Sequence, residues 1–284
     1  MTFSEHPDPV AAEAPVGIFD SGVGALSVLR HIRARLPSEH LLCVADSGHA
    51  PYGGKSDAEI VGRTLAIAAF LRTKNVKAIV VACNTATAAA IAALRQHYPE
   101  LIVIGVEPGL KPAAALSKSG KAGVLATAST LASSRFIALR DQISVTTGVS
   151  FITQACVGLV EQIEKGELSS PATALMLQRY LSPLLRDGID TLALGCTHYP
   201  FVQPLIEAIV QRESVVPVTI IDTGEAVARQ LERSLQQRGL QRLTLSEGTL
   251  QAYTTGSRSA LVNAFAQLLD LHPPVAELTA ESTA

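Results

Sequence analysis

Short runs of consecutive apolar residues recur along the chain, and most are followed by a segment whose apolar positions repeat at helical spacing. The runs predict strands at 16–19, 41–45, 78–82, 101–106, 121–125, 150–153, 191–194 and 218–221. The intervening pattern predicts helices at 25–36, 57–73, 85–97, 131–142, 157–165, 171–187, 201–213, 225–237 and 257–271. Strands that are apolar throughout, rather than on alternate positions, belong to a parallel sheet covered on both faces. One sheet would be long for this many strands. The predicted fold class is therefore α/β, with two doubly wound parallel-sheet domains related by pseudo-symmetry and the active site in the crevice between them. Crossing points near 108 and 220 give domain A as 15–107 plus 221–271, carrying Asp20 and Cys83, and domain B as 108–220, carrying Cys196 and His198. Residues 1–14 and 272–284, rich in Pro, Ala, Thr and acids, are expected to be flexible tails.

Two turns share a design. In Val80-Val81-Ala82-Cys83-Asn84-Thr85 and in Leu192-Ala193-Leu194-Gly195-Cys196-Thr197-His198, an apolar strand ends at a cysteine, a hydroxyl residue follows within two positions, and a helix begins. A thiol there sits beside unpaired N–H groups and the positive end of the helix dipole, which favour thiolate. The same N–H groups suit a substrate carboxylate. Most free cysteines are simply buried small hydrophobes, and that reading serves Cys43 and Cys156, inside or just after apolar strands. It serves Cys83 and Cys196 poorly, since polar residues follow both. Two opposed thiols point to inversion of a stereocentre, one thiolate removing a proton while the other thiol returns one, with no cofactor.

Other polar residues cluster at strand ends. Asp20, in Asp20-Ser21-Gly22, is either a helix N-cap or a carboxylate available to a thiol or an ammonium group. His198, two residues past Cys196, offers an imidazole to a thiol. The stretch 46–56 is long, polar and Gly-rich, as functional loops often are. Two nucleotide signals are weak. Gly22-Val23-Gly24-Ala25-Leu26-Ser27 ends in Ser where the dinucleotide fingerprint wants Gly or Ala. Gly53-Gly54-Lys55-Ser56 has His49 where a P-loop needs its first glycine, and Pro51 removes an N–H from the would-be cradle.

These pieces together resemble the glutamate racemases of the aspartate/glutamate racemase family. The resemblance rests on 17–22, Pro51-Tyr52-Gly53, 82–87, Gly105-Val106-Glu107-Pro108, Gly195-Cys196-Thr197-His198-Tyr199-Pro200 and Ile221-Asp222-Thr223-Gly224, in order over about 15–265. It implies cofactor-free interconversion of L- and D-glutamate for peptidoglycan synthesis, with Cys83 and Cys196 as the acid/base thiols, Asp20 assisting the first and His198 the second. It also implies that glutamate is held by Asp20, Ser21, Pro51, Tyr52, Gly53, Asn84, Thr85, Thr127, Thr197 and His198, that Glu161 supports His198, and that the protein is a homodimer. One departure is Val157, where the family often has proline after the cysteine.

Composition narrows the field further. Among 284 residues, 23 Lys and Arg face 25 Asp and Glu for a net charge of −2, and only 4% are aromatic, which argues against nucleic acid as a partner. No apolar run, that at 78–83 included, is long enough for a membrane span. Four widely spaced cysteines match no metal or disulfide pattern, so a cytoplasmic protein with reduced thiols and no bound metal is expected. An aspartate racemase is the nearest alternative, although such proteins typically carry Glu at the position of His198. A nucleotide-dependent oxidoreductase built on Gly22 and Gly24 would bind its cofactor and tolerate loss of Cys83, whereas a racemase-like binding protein would bind glutamate without turnover.

Overall fold

The computed structural model describes residues 9–278, with side chains from Ala11. In chain order the elements are α1 (Pro9–Glu13), β1 (Val16–Asp20), α2 (Ala25–Arg35), β2 (Leu41–Ala45), α3 (Asp57–Thr73), β3 (Ala78–Val81), α4 (Asn84–His97) and β4 (Ile102–Gly105). Then come α5 (Leu110–Leu116), β5 (Lys121–Ala126), α6 (Ala128–Ala132), α7 (Ser134–Thr147), β6 (Ser150–Ala155), α8 (Leu159–Glu164), α9 (Pro171–Arg186), β7 (Thr191–Gly195), α10 (Gln203–Glu213) and β8 (Thr219–Ile221). The chain closes with α11 (Gly224–Gln237), β9 (Leu250–Thr254), α12 (Arg258–Leu269) and β10 (Val275–Glu277). No helix among the described residues is long and apolar enough to cross a membrane.

The protein divides into two compact units, one formed by residues up to Val106 together with those from Gly224 onward, the other by Glu107–Thr223. The first holds a six-stranded parallel sheet in the order β10-β9-β2-β1-β3-β4. Alternate residues of its central strands (Phe19, Leu42, Val44, Ile79 and Val81) bury against Ile60, Ile67 and Leu71 of α3 and Ile91 and Leu94 of α4. Each such aliphatic side chain contributes about 1.5–3 kcal/mol on leaving water. On α3 a capping box of Ser56 and Glu59 satisfies the first backbone N–H groups. The second unit holds a four-stranded parallel sheet, β6-β5-β7-β8. Leu125, Leu192 and Leu194 pack under α8, α9 and α10, and Val124, Ala126 and Ala193 pack under α5 and α7.

The expected tails need correction. Residues 1–8 and 279–284 lie outside the described residues. Within the rest, residues 9–13 form α1, and Lys77 Nζ, buried against Glu39 Oε2 at 2.5 Å, also donates to Ala12 O at 2.5 Å. Beyond His272, β10 joins the sheet edge beside β9 with Val275 buried, and Arg258 secures it through Val275 O at 2.9 Å. The pattern of apolar runs also missed β9, α5 and α6. β9 (LQAYT) lacks a continuous apolar run, and α5 (LKPAAAL) carries a proline.

Candidate active site

Chemistry gathers at the carboxyl ends of the strands in each unit, where open α/β sheets bind ligands. In the first unit, β1 ends at Asp20, fully buried. Its Oδ1 accepts from Ser21 N at 2.5 Å and from Ser21 Oγ at 3.0 Å. One strand over, Cys83 is the N-cap of α4, and Ala86 N donates to its sulfur at 3.4 Å. The Cys83 thiol in turn donates to Ser21 Oγ at 3.9 Å, so a path of polar hydrogens runs from thiol through hydroxyl to carboxylate. The positive end of α4 adds a fixed field favouring thiolate.

Asn84 and Thr85 open the first turn of α4 and are almost fully buried. Among the described residues neither Oδ1 nor Nδ2 of Asn84 has a hydrogen-bond partner. An unsatisfied buried amide costs about 1–3 kcal/mol, so this side chain marks a place for a polar ligand.

The 46–56 loop forms two short 3-10 turns, Ser47–His49 and Tyr52–Gly54. Tyr52 is buried in the same apolar cluster as Cys83, whereas Pro51 is exposed and Gly53 half-buried. The Tyr52 hydroxyl donates to Asp46 Oδ2 at 2.6 Å. Burial and the adjacent Asp46 carboxylate raise its pKa well above the ordinary phenol range, so it remains a neutral donor.

In the second unit, β7 ends at Gly195 and delivers Cys196, which is buried. Gly195 has no alternative: a Cβ there would lie 2.9 Å from Leu125 O on the neighbouring strand. Cys196 Sγ lies 3.7 Å from His198 Nδ1, and His198 Nε2 lies 2.6 Å from Glu164 Oε1. With Nε2–H donated to the carboxylate, Nδ1 is the atom presented to sulfur. Thr127 caps α6 at the end of β5, whose last residue Ala126 pairs with Gly195, so Thr127 and Cys196 share one end of the sheet with buried Thr197.

The acid that meets His198 is Glu164, which corrects the expectation for Glu161. Helix α8 turns Val160 and Ile163 into the core, leaving Glu161 on the exposed side, and its last residue reaches the imidazole. Glu164 and the buried Asp46 are site residues that sequence reasoning missed. Glu164 was one turn away from the acid chosen, while Asp46 stood at a strand end like Asp20.

Burial pushes Cys43 and Cys156 up to about 12, holding both as neutral thiols at neutral pH.

A family model described as Asp/Glu/Hydantoin racemase matches residues 25–231. A glutamate racemase of Ectopseudomonas mendocina is 56% identical over 229 residues, which cover 81% of this chain and 85% of the relative. The crystal structure of a glutamate racemase isoform from Bacillus anthracis is 32% identical and superposes with a TM-score of 0.84, covering 95% of this chain and 98% of that one. The Francisella tularensis glutamate racemase, solved with D-glutamate, is 28% identical at a TM-score of 0.82, covering 95% of this chain and 99% of that one. The match over most of the chain, with more than half of the aligned residues shared with a curated relative, establishes that the protein belongs to the Asp/Glu/hydantoin racemase family.

Proposed function

We propose that the protein interconverts L- and D-glutamate without a cofactor, by two-base proton transfer at the α-carbon, and so supplies D-glutamate for peptidoglycan synthesis. The observation that carries this reading is the repetition of one motif in the two compact units. Each presents a cysteine wired to a carboxylate through a hydrogen-bonding group, Cys83–Ser21–Asp20 in one and Cys196–His198–Glu164 in the other. Glutamate as substrate is supported by the relatives, which are glutamate racemases.

The proton balance is simple. One cysteine starts as thiolate and takes the α-proton, while the other starts as thiol and gives its proton to the opposite face of the same carbon. The substrate leaves inverted, the sulfurs have exchanged protonation states, and the reverse reaction resets them. Asp20 and His198 each serve the adjacent sulfur as a local proton relay or counter-charge. Asn84 and the N–H groups opening α4 supply preorganised donors for the substrate carboxylate, where charge builds as the α-proton leaves. Ser21, Pro51, Tyr52, Gly53, Thr85, Thr127 and Thr197 complete the binding set.

The direct test places the protein in D2O with L-glutamate and no added cofactor. Loss of the α-proton NMR signal should accompany decay of optical rotation to zero. Exchange on aspartate alone would move the assignment to the sister specificity, and silence on both would overturn it.

Glu164→Gln keeps the size of the side chain but removes the charge facing His198. Racemisation should slow about 10- to 100-fold, mainly in kcat, because the imidazole loses the group that orients it and stabilises its protonated form. Rates within twofold of the parent by circular dichroism in both directions would exclude that role.

A further inference from the structure

Asp46, at the end of β2, is fully buried and gathers donors from three separate parts of the first unit. Arg63 of α3 binds it through both ends of its fork, Nη2 to Oδ1 at 2.8 Å and Nε to Oδ2 at 3.0 Å. Tyr52 donates to Oδ2, and Thr255, just past β9, donates to Oδ1 at 2.7 Å. His49 Nδ1 lies 3.1 Å from the same Oδ1. Thr255 Oγ1 also accepts from Gly48 N at 3.1 Å, so one hydroxyl joins the carboxylate to the backbone of the loop. Gly48 fits tightly there: a Cβ would lie 2.5 Å from Thr255 O.

We propose that Thr255 and Arg63 are positioning residues for the racemisation: through Asp46 they hold Tyr52, and the 46–54 loop that carries it, in register with Cys83. The inference rests on the reading above, in which Tyr52 and Gly53 help bind the substrate. The physical need is clear. A loop with glycines at 48, 53 and 54 loses much backbone entropy on ordering, about 1–2 kcal/mol per residue. A binding site must nevertheless be held within about 0.5 Å of its productive geometry. Tyr52 spends its hydroxyl on Asp46, so its place beside Cys83 depends on where Asp46 is held. Arg63 suits this work because its planar fork fixes both carboxylate oxygens, which a lysine cannot do.

Thr255→Val keeps the shape of the side chain and deletes both hydroxyl bonds, whereas Thr255→Ser keeps them. KM and kcat for glutamate are measured separately in both directions, and trypsin cleavage at Lys55 reports the order of the loop. Thr255→Val and Arg63→Met should raise KM at least fivefold with kcat changed less than threefold, and should speed cleavage at Lys55. Thr255→Ser should stay within twofold of the parent on all three readouts. Parent-like KM and cleavage in Thr255→Val, or equal effects in the Val and Ser variants, would overturn the proposal. Absence of glutamate turnover by the unaltered protein, run alongside, would instead remove the reading beneath it, while the cleavage rates would still report the tether.

Discussion

Alanine at Cys83 or at Cys196 is expected to lower racemisation by about 10³-fold or more, at the upper end of what a single acid/base group supplies. The distinguishing result lies in what survives. With one thiol gone, the remaining one can still take the α-proton from the enantiomer that presents it and, once its S–H has exchanged with D2O, return a deuteron to the same face. Each variant should therefore exchange the α-proton of one enantiomer only, slowly and without inversion, and the two variants should differ in which enantiomer they exchange. Exchange of the same enantiomer by both would sink the two-base scheme. Serine should be nearly as damaging, because an alcohol is a far weaker acid than a thiol. The fold should survive Cys83→Ala, since the change removes only the sulfur that caps α4, a loss of roughly 1 kcal/mol.

Asp46→Leu should lower stability by about 3–5 kcal/mol, as removal of one partner of a buried charge pair does. It strands the Arg63 guanidinium, which is only 18% exposed, and leaves the hydroxyls of Tyr52 and Thr255 without their acceptor. The pH dependence follows from the same contacts. Burial pushes the Asp46 carboxyl up, but hydrogen bonds from Arg63, Tyr52 and Thr255 outweigh it and hold the folded value below the ordinary range. Its stabilisation is therefore fully present above the unfolded value of about 3.9 and is lost as pH falls through the lower folded value. Urea midpoints of parent and Asp46→Leu should differ most near neutral pH and converge below about pH 4. A constant gap down to pH 3 would show that the carboxylate charge is not the source.

How much of this was readable from the chain depended on range. The strand ends at Asp20, Cys83 and Cys196 were legible because buried parallel strands are continuous apolar runs whose limits are sharp. Glu164 was missed by one helical turn, because a sequence does not say how a short helix such as α8 is rotated about its axis. Asp46 was illegible as a hub since its partners come from 17 and 209 residues away. The strands β9 and β10 escaped for a related reason. LQAYT becomes a strand because β2 offers it an edge, and VAE because β9 then offers another, a tertiary effect that local propensity does not contain.

That edge has a consequence for synthesis. The second unit is continuous in sequence, whereas the first is interrupted by it, and β2 finds its neighbour β9 only 209 residues later, Leu41 pairing with Leu250. At about 5–20 residues per second, the ribosome leaves β2 without that partner for roughly 10–40 s. During this interval an apolar strand (LLCVA) presents unpaired backbone groups on one side, the condition under which nascent chains pair wrongly or aggregate. The inserted unit can fold from its own contiguous residues while the first waits for its final strands. Growth conditions that slow elongation or deplete chaperones should therefore lower the soluble yield through the first unit.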